Sequence, residues 1–333
     1  MEHRNYKTKS IVEAGIISAI IVVLMLITGY VPFIAAVGTL ILPIPVALLY
    51  VRHDLKITIL SIIASTIISS MVFNPIQALL SAASFSFVGL AFGYGIKKDK
   101  SSSFIILILS VISLAATVLS LAVTVVIIQK TSFGAFINTA ITGFNEAMKE
   151  SMEMAKSLYM KAGMTESQLA QMNDIYSKIT PQLILDMGAA ALILQAFISS
   201  IVNYAVAKVI LKKLGYNLKK LRAFTELYIN SFTAAIIIMP IPLGVYLQAK
   251  GMAIGRPILI SGQVIMQVVF VMIGISVVTY FLINKYKLTK GVIVLIVIVS
   301  FTMPILATMF IYIGLADMIF DFRRVNPNRI LKK

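Results

Sequence analysis

A chain of 333 residues with 59% hydrophobic and 13% charged side chains carries about half the charge of a soluble domain, which excludes an ordinary water-soluble core. No cysteine and only two histidines exclude disulfide frameworks, thiolate zinc sites, cysteine nucleophiles and most histidine acid–base chemistry, so no enzyme, metal or cofactor is expected. The formal net charge of +16 would suggest nucleic acid in a soluble protein, but the basic residues lie between uncharged runs and no nucleic-acid partner is expected.

Those runs, 14–51, 57–96, 101–128, 187–207, 227–249 and 257–284, are each long enough for one or two crossings of roughly 30 Å of hydrocarbon at about 1.5 Å per residue. The first lacks a small-residue cleavage site and reads as a retained span, not a signal peptide. Helices are expected over 10–29 and 32–51, the second kinked or broken by Pro43-Ile44-Pro45 because proline removes an amide donor and crowds the preceding turn. A third over 57–73 turns at Asn74-Pro75 into a fourth over 76–96, and a fifth covers 104–128.

Residues 130–180 differ in kind. Phe133, Phe136, Ile137, Ala140, Ile141, Phe144, Met148, Met152, Ala155 and Tyr159 recur at three- and four-residue spacing, opposite Asn145, Glu146, Lys149, Glu150, Glu153 and Lys156, so an amphipathic helix is expected. Thr165 and Gln168 form a capping-box start for a shorter helix facing inward with Leu169, Met172, Tyr176 and Ile179. This external hairpin packs on the bundle or forms a lid over a cavity. Thr180-Pro181 opens a sixth helix to about residue 211, a seventh covers 226–248 with a break at Pro240-Ile241-Pro242, and an eighth covers 257–284. In 291–320, two short helices meeting near Met303-Pro304 keep the basic tail on the side of the other basic loops. Ten crossings are therefore favoured over nine. The repeated Pro-x-Pro fits helices broken in two halves, as in many solute carriers.

With residues 1–10 cytoplasmic, alternation puts 22 of the 29 basic and seven of the 13 acidic residues inside, leaving net charges of +15 inside and +1 outside. The N-terminus, and with ten crossings the C-terminus, is then cytoplasmic in a bacterial cell membrane.

Small residues at Ala14, Gly15, Ser18 and Ala19, and at Gly89, Gly93 and Gly95, let helices approach closely in lipid, either within the chain or, for the first group, at a docking face for another subunit. Ionisable groups inside apolar runs are functional candidates. Glu13 is expected to reach toward Lys9, and Asp317 to sit in the interface before Arg323 and Arg324. Asp186 lies about two turns into its run. With Asn74, Gln77, Gln263 and Gln267 it is the candidate lining of an outward pocket, Asn203 and Tyr204 lying deeper; interhelical hydrogen bonding without a ligand is the alternative. No metalloprotease, serine-hydrolase or phosphate-loop motif is present.

The run 42–52 (LPIPVALLYVR), the Gly89 to Gly95 helix and the endings Gly314-Leu315-Ala316-Asp317 and Asp321-Phe322-Arg323 resemble the YybS-type predicted membrane proteins of Gram-positive bacteria. The first half is in turn similar to the substrate-binding S components of energy-coupling-factor transporters. That resemblance implies solute capture and docking, through the first helix, to energy-coupling transmembrane and ATPase subunits. The insertion 130–180 and the helices after Gly215 have no counterpart in a minimal S component.

The expectation is an all-α polytopic membrane bundle of about nine to ten transmembrane helices with an external amphipathic helical hairpin. Its parts are an S-component-like half (1–129 and 181–213), the insertion (130–180) and further helices (214–333). The expected function is binding or transport of a small solute from outside. The alternative is a scaffold or regulator binding an envelope partner through the hairpin. The lipid bilayer is the remaining partner.

Overall fold

The computed structural model describes residues 2–161, 163, 165, 167, 168, 174 and 178–325. Every regular element among them is helical. In chain order these are α1 (Glu2–Tyr30), α2 (Pro32–Ile41), α3 (Pro43–Arg52), α4 (Leu55–Ser70), α5 (Pro75–Lys97), α6 (Ser102–Val123, running on into a π-helical turn at Thr124–Ile128) and α7 (Phe133–Lys161). There follow α8 (Pro181–Asp186), α9 (Gly188–Lys213), a 3-10 turn at Phe224–Glu226, α10 (Ser231–Ile238), α11 (Pro240–Ala249), α12 (Gly255–Asn284), α13 (Lys290–Thr302) and α14 (Pro304–Phe320). The chain divides into two compact units, Met1–Phe136 with Leu192–Leu221, and Ile137–Ala191 with Arg222–Lys333. The second unit thus takes most of the 130–180 insertion together with the C-terminal helices.

Among the described residues six segments are long and apolar enough to cross a membrane: Ser10–Tyr30, Pro75–Lys97, Ser102–Ile128, Gly188–Lys213, Ser231–Ala249 and Gly255–Asn284. The bent pair α13 and α14, turned by 113° at Met303-Pro304, makes a seventh if it is one span. A count of nine also needs the shorter α2–α3 and α4 segments and one pass from that pair, and a count of ten needs two passes from it. Sixteen residues of α4 reach only about 24 Å.

In the first unit α4 is inverted relative to a soluble helix. Its buried residues are Thr58, Ser61, Ser65 and Ser69, while Ile59, Leu60, Ile63, Ile67 and Ile68 are exposed. Water would penalise that surface and lipid does not. The serine stripe meets α1. Ser65 Oγ donates to Ser61 O (2.7 Å) and lies 3.3 Å from Ser18 O, Ser18 Oγ lies 3.4 Å from Ser61 O, and Ser69 Oγ lies 3.3 Å from Met25 Sδ. Such hydroxyl contacts replace the missing hydrophobic drive between helices in lipid. On α5, Gly89 and Gly93 face α3; a Cβ at Gly89 would lie 2.6 Å from Pro43 O and one at Gly93 2.5 Å from Tyr50. Glu13 pairs with Arg52, and its Oε2 lies 3.0 Å from His53 Nε2, while the side chain of Lys9, its expected partner, lies outside the described residues.

In the second unit α12 is the central element, packing through Phe270, Ile273 and Val277. A Cβ at Gly244 of α11 would strike the Leu259 main chain, and one at Gly274 or Gly314 would strike the carbonyl of Phe310 or Phe270 across the α12–α14 crossing. Two sequence expectations change here. The seventh helix begins at Ser231, not at 226. Asn230 caps it, accepting from Thr233 N (2.8 Å), and the preceding carbonyls are held elsewhere: Phe224 O by Ser276 Oγ (2.5 Å), Thr225 O by Arg323 Nη1 (2.7 Å) and Leu227 O by Arg323 Nη2 (2.6 Å). The sixth helix is not continuous but breaks at Met187. Asp186 O and Ala190 N would form a regular helical bond, yet the Ser261 hydroxyl stands between them, donating to the first (2.8 Å) and meeting the second at 3.3 Å. Asp317 is buried and paired with Arg323.

Thr165 N donates to Gln168 Oε1 at 3.0 Å, one half of the capping box. The inward positions Leu169, Met172 and Tyr176 fall outside the described residues, as do Arg329, Lys332 and Lys333 of the tail.

Candidate functional site

The first unit contains a cleft of about 550 Å³, within the size range of small-ligand sites. Three helices present it with stripes at helical spacing. α5 contributes Ser81, Ser84, Phe85 and Val88; α6 contributes Ser113, Ala116, Thr117, Ser120 and Leu121; α9 contributes Gln195, Ser199 and Asn203. The α2–α3 break supplies Thr39, Leu42 and Pro43, and Thr124 opens the π-helical turn at the rim. Broken and π-helical segments are frequent at functional sites because they free backbone groups or re-aim side chains. A second cleft of about 280 Å³ shares Ser81, Ser84, Ser120 and Thr124 and adds Gln77, Leu80 and Ile128. The linings run from Gln77 to Val88 along α5, about 16 Å by helix rise.

Among the described residues the polar side chains of the lining are uncharged. Ser84 Oγ donates to Leu80 O (2.9 Å) and Thr117 Oγ1 to Ser113 O (2.8 Å) within their own helices. Asn203 is only 7% exposed; its Nδ2 lies 3.5 Å from Ser199 Oγ and its Oδ1 has no hydrogen-bond partner. An unmade buried hydrogen bond costs of order 1–3 kcal/mol, so this acceptor stands out.

Of the sequence candidates Gln77 lines the smaller cleft and Asn203, expected to lie deeper, lines the larger one. Asn74 caps α5, its Oδ1 accepting from Ile76 N (2.9 Å) and lying 3.4 Å from Gln77 N. Gln263 and Gln267 are exposed on α12. Asp186 is fully buried; its Oδ1 accepts from Gln182 Nε2 (2.8 Å), and its Oδ2 lies 2.9 Å from Arg256 Nε, at ion-pair distance but off hydrogen-bond alignment. On α1, Ala14 and Ser18 are buried, whereas Gly15 and Ala19 are exposed, and a Cβ at Gly15 would meet open space. Sequence reasoning singled out Asn203 for depth but missed the hydroxyl stripes. Their signal is a polar period, Ser113-Thr117-Ser120-Thr124, in an otherwise apolar helix.

Apolar spans, an inverted α4 and helix crossings built on glycine and serine define a polytopic helical membrane protein. The chain belongs to the predicted membrane protein family DUF2232, which it matches over residues 19–318. It is 24% identical over 323 residues to "Uncharacterized protein YybS" of Bacillus subtilis (strain 168), covering 95% of this chain and 98% of that one. No solved structure matches it significantly.

Proposed function

We propose that the first unit binds a small solute in the cleft between α5, α6 and α9 and passes it toward the cell. The observation that carries this reading is a cleft of ligand size lined by hydroxyl and amide side chains from three helices. The charge bias supports a cytoplasmic N-terminus in a bacterial plasma membrane, and in that orientation the Gln77 and Ile128 end faces outward and the path opens to the exterior. Hydroxyls and amides without an acid, base or nucleophile pair support binding, not catalysis. The exposed Gly15 and Ala19 support docking of an energy-coupling subunit on α1, in keeping with the S-component resemblance.

A second reading, a scaffold that holds an envelope partner, is favoured by α7. None of its 29 residues is buried, and a groove along Phe144, Met148 and Met152 remains open.

Native mass spectrometry of the purified protein, incubated with a bacterial small-molecule extract, tests the first reading. A bound small molecule is expected in the natural chain and not in Ala116→Phe, which fills the cleft. Repeated absence of any bound mass in the natural chain overturns it.

A further inference from the structure

We infer that the turn between α5 and α6, together with the loop after α9, holds the phosphodiester headgroup of an anionic phospholipid whose acyl chains lie along α6. No residue of this site lines the solute cleft. α5 closes through Asp99 in the left-handed region (φ 44°), with Lys98 N donating to Tyr94 O (3.0 Å) and Lys100 N to Gly95 O (2.9 Å), so the turn into α6 is tight. The loop after α9 is fastened beside it. Leu218 is buried in the core shared by α3, α5, α6 and α9, Tyr204 Oη donates to Lys219 O (2.7 Å), and Ser102 Oγ lies 3.3 Å from Lys220 O. Lys219 Nζ reaches both Asp99 O (2.6 Å) and the Asp99 carboxylate (2.8 Å).

Segments 120 residues apart thus share one short stretch of surface, which carries Lys97, Lys98, Lys100, Lys219 and Lys220. Asp99, the acid among them, is taken by Lys219, and among the described residues no carboxylate pairs with the other four. Like charges held close on a fixed backbone repel, and an anion relieves that repulsion without having to order the loops first. The second observation selects a lipid over a soluble anion. Lys100 Nζ lies 5.3 Å from the centre of the Phe104 ring, and Phe104, Leu107 and Val111 follow one another at helical spacing, all exposed on α6. An apolar track therefore starts at the ammonium groups and continues along a membrane-spanning helix. A charged headgroup joined to acyl chains satisfies both parts, whereas a free phosphate satisfies only the first.

Native mass spectrometry of the full-length protein in detergent, titrated with phosphatidylglycerol or with phosphatidylcholine of the same acyl chains, tests this. Phosphatidylglycerol is expected to bind about tenfold more tightly than phosphatidylcholine, and Lys98→Gln combined with Lys220→Gln to remove about tenfold of that affinity. Lys287→Gln combined with Lys290→Gln makes the same charge change on exposed lysines of the second unit and is expected to alter it less than about twofold. Lys98 and Lys220 are both exposed, so melting is expected to hold. Lys98→Gln alone gives a smaller loss in the same direction should the pair not fold. Glycerophosphate, which has the phosphate and no acyl chains, is expected not to displace the lipid at equal concentration. Equal binding of the two lipids, equal losses in the two double variants, no loss at residues 98 and 220, or displacement by glycerophosphate each overturns the site.

Discussion

Arg323 Nη2 lies 2.8 Å from Asp317 Oδ2, with the arginine side chain fully buried and the carboxylate nearly so. All five guanidinium donors are used: Nε and Nη2 on Asp317, Nη1 on Thr225 O and Ser276 Oγ, and Nη2 also on Leu227 O. One residue therefore joins the end of α14, the turn before α10 and the middle of α12.

Breaking that pair leaves a buried charge without a partner, at a cost of about 3–5 kcal/mol. Arg323→Leu and Asp317→Leu are each expected to lower the melting temperature in detergent sharply, and Arg323→Lys to do so nearly as much, since an ammonium offers three donors and no fork. The double variant is expected to be less damaged than either single one. Unchanged melting in both single variants would contradict the buried pair.

Ser261→Ala removes the hydroxyl that stands between Asp186 O and Ala190 N. Leaving both groups unpaired predicts a loss of about 1–3 kcal/mol, read as a lower unfolding midpoint. Stability equal to that of the natural chain would mean that the helix closes its own ladder there.

Glycine positions are expected to separate into two kinds. Gly89→Leu and Gly274→Leu place side chains against the Pro43 and Phe310 carbonyls and should destabilise the isolated protein. Gly15→Leu projects into open space and should leave its melting unchanged while abolishing co-purification with a coupling subunit. A folding defect in Gly15→Leu equal to that of Gly89→Leu would remove the docking face.

The absence of cysteine from the sequence makes single-cysteine labelling direct. Glu150→Cys is expected to react with an impermeant reagent on intact cells, and Lys98→Cys only after lysis. Surface labelling at residue 98 would reverse the orientation derived from the charge bias.

What the sequence disclosed divides by range. The breaks at Pro43, Pro240 and Pro304 have a local cause, a missing amide, and are visible in the residues themselves. The break at Met187 is not, because its cause, Ser261, lies far along the chain. Leu227 to Asn230 are apolar enough to read as helix, yet a distant arginine claims the carbonyl of Leu227. The charge of Arg323 marks it as a tail residue until the fold supplies Asp317 and three further acceptors. The cleft is of the same kind. Ser84, Thr117 and Asn203 are unremarkable alone, and only three helices meeting make them a lining.

Water access to the α6 stripe tests the outward-opening cleft most directly. Ser120→Cys faces the cleft, whereas Val111→Cys and Val118→Cys lie on the exposed apolar side of the same helix. The account predicts that a water-soluble methanethiosulfonate added outside intact cells modifies residue 120 and spares 111 and 118. Modification of residue 120 only from the cytoplasmic side, or no faster than residue 118, would contradict a solute path open to the exterior.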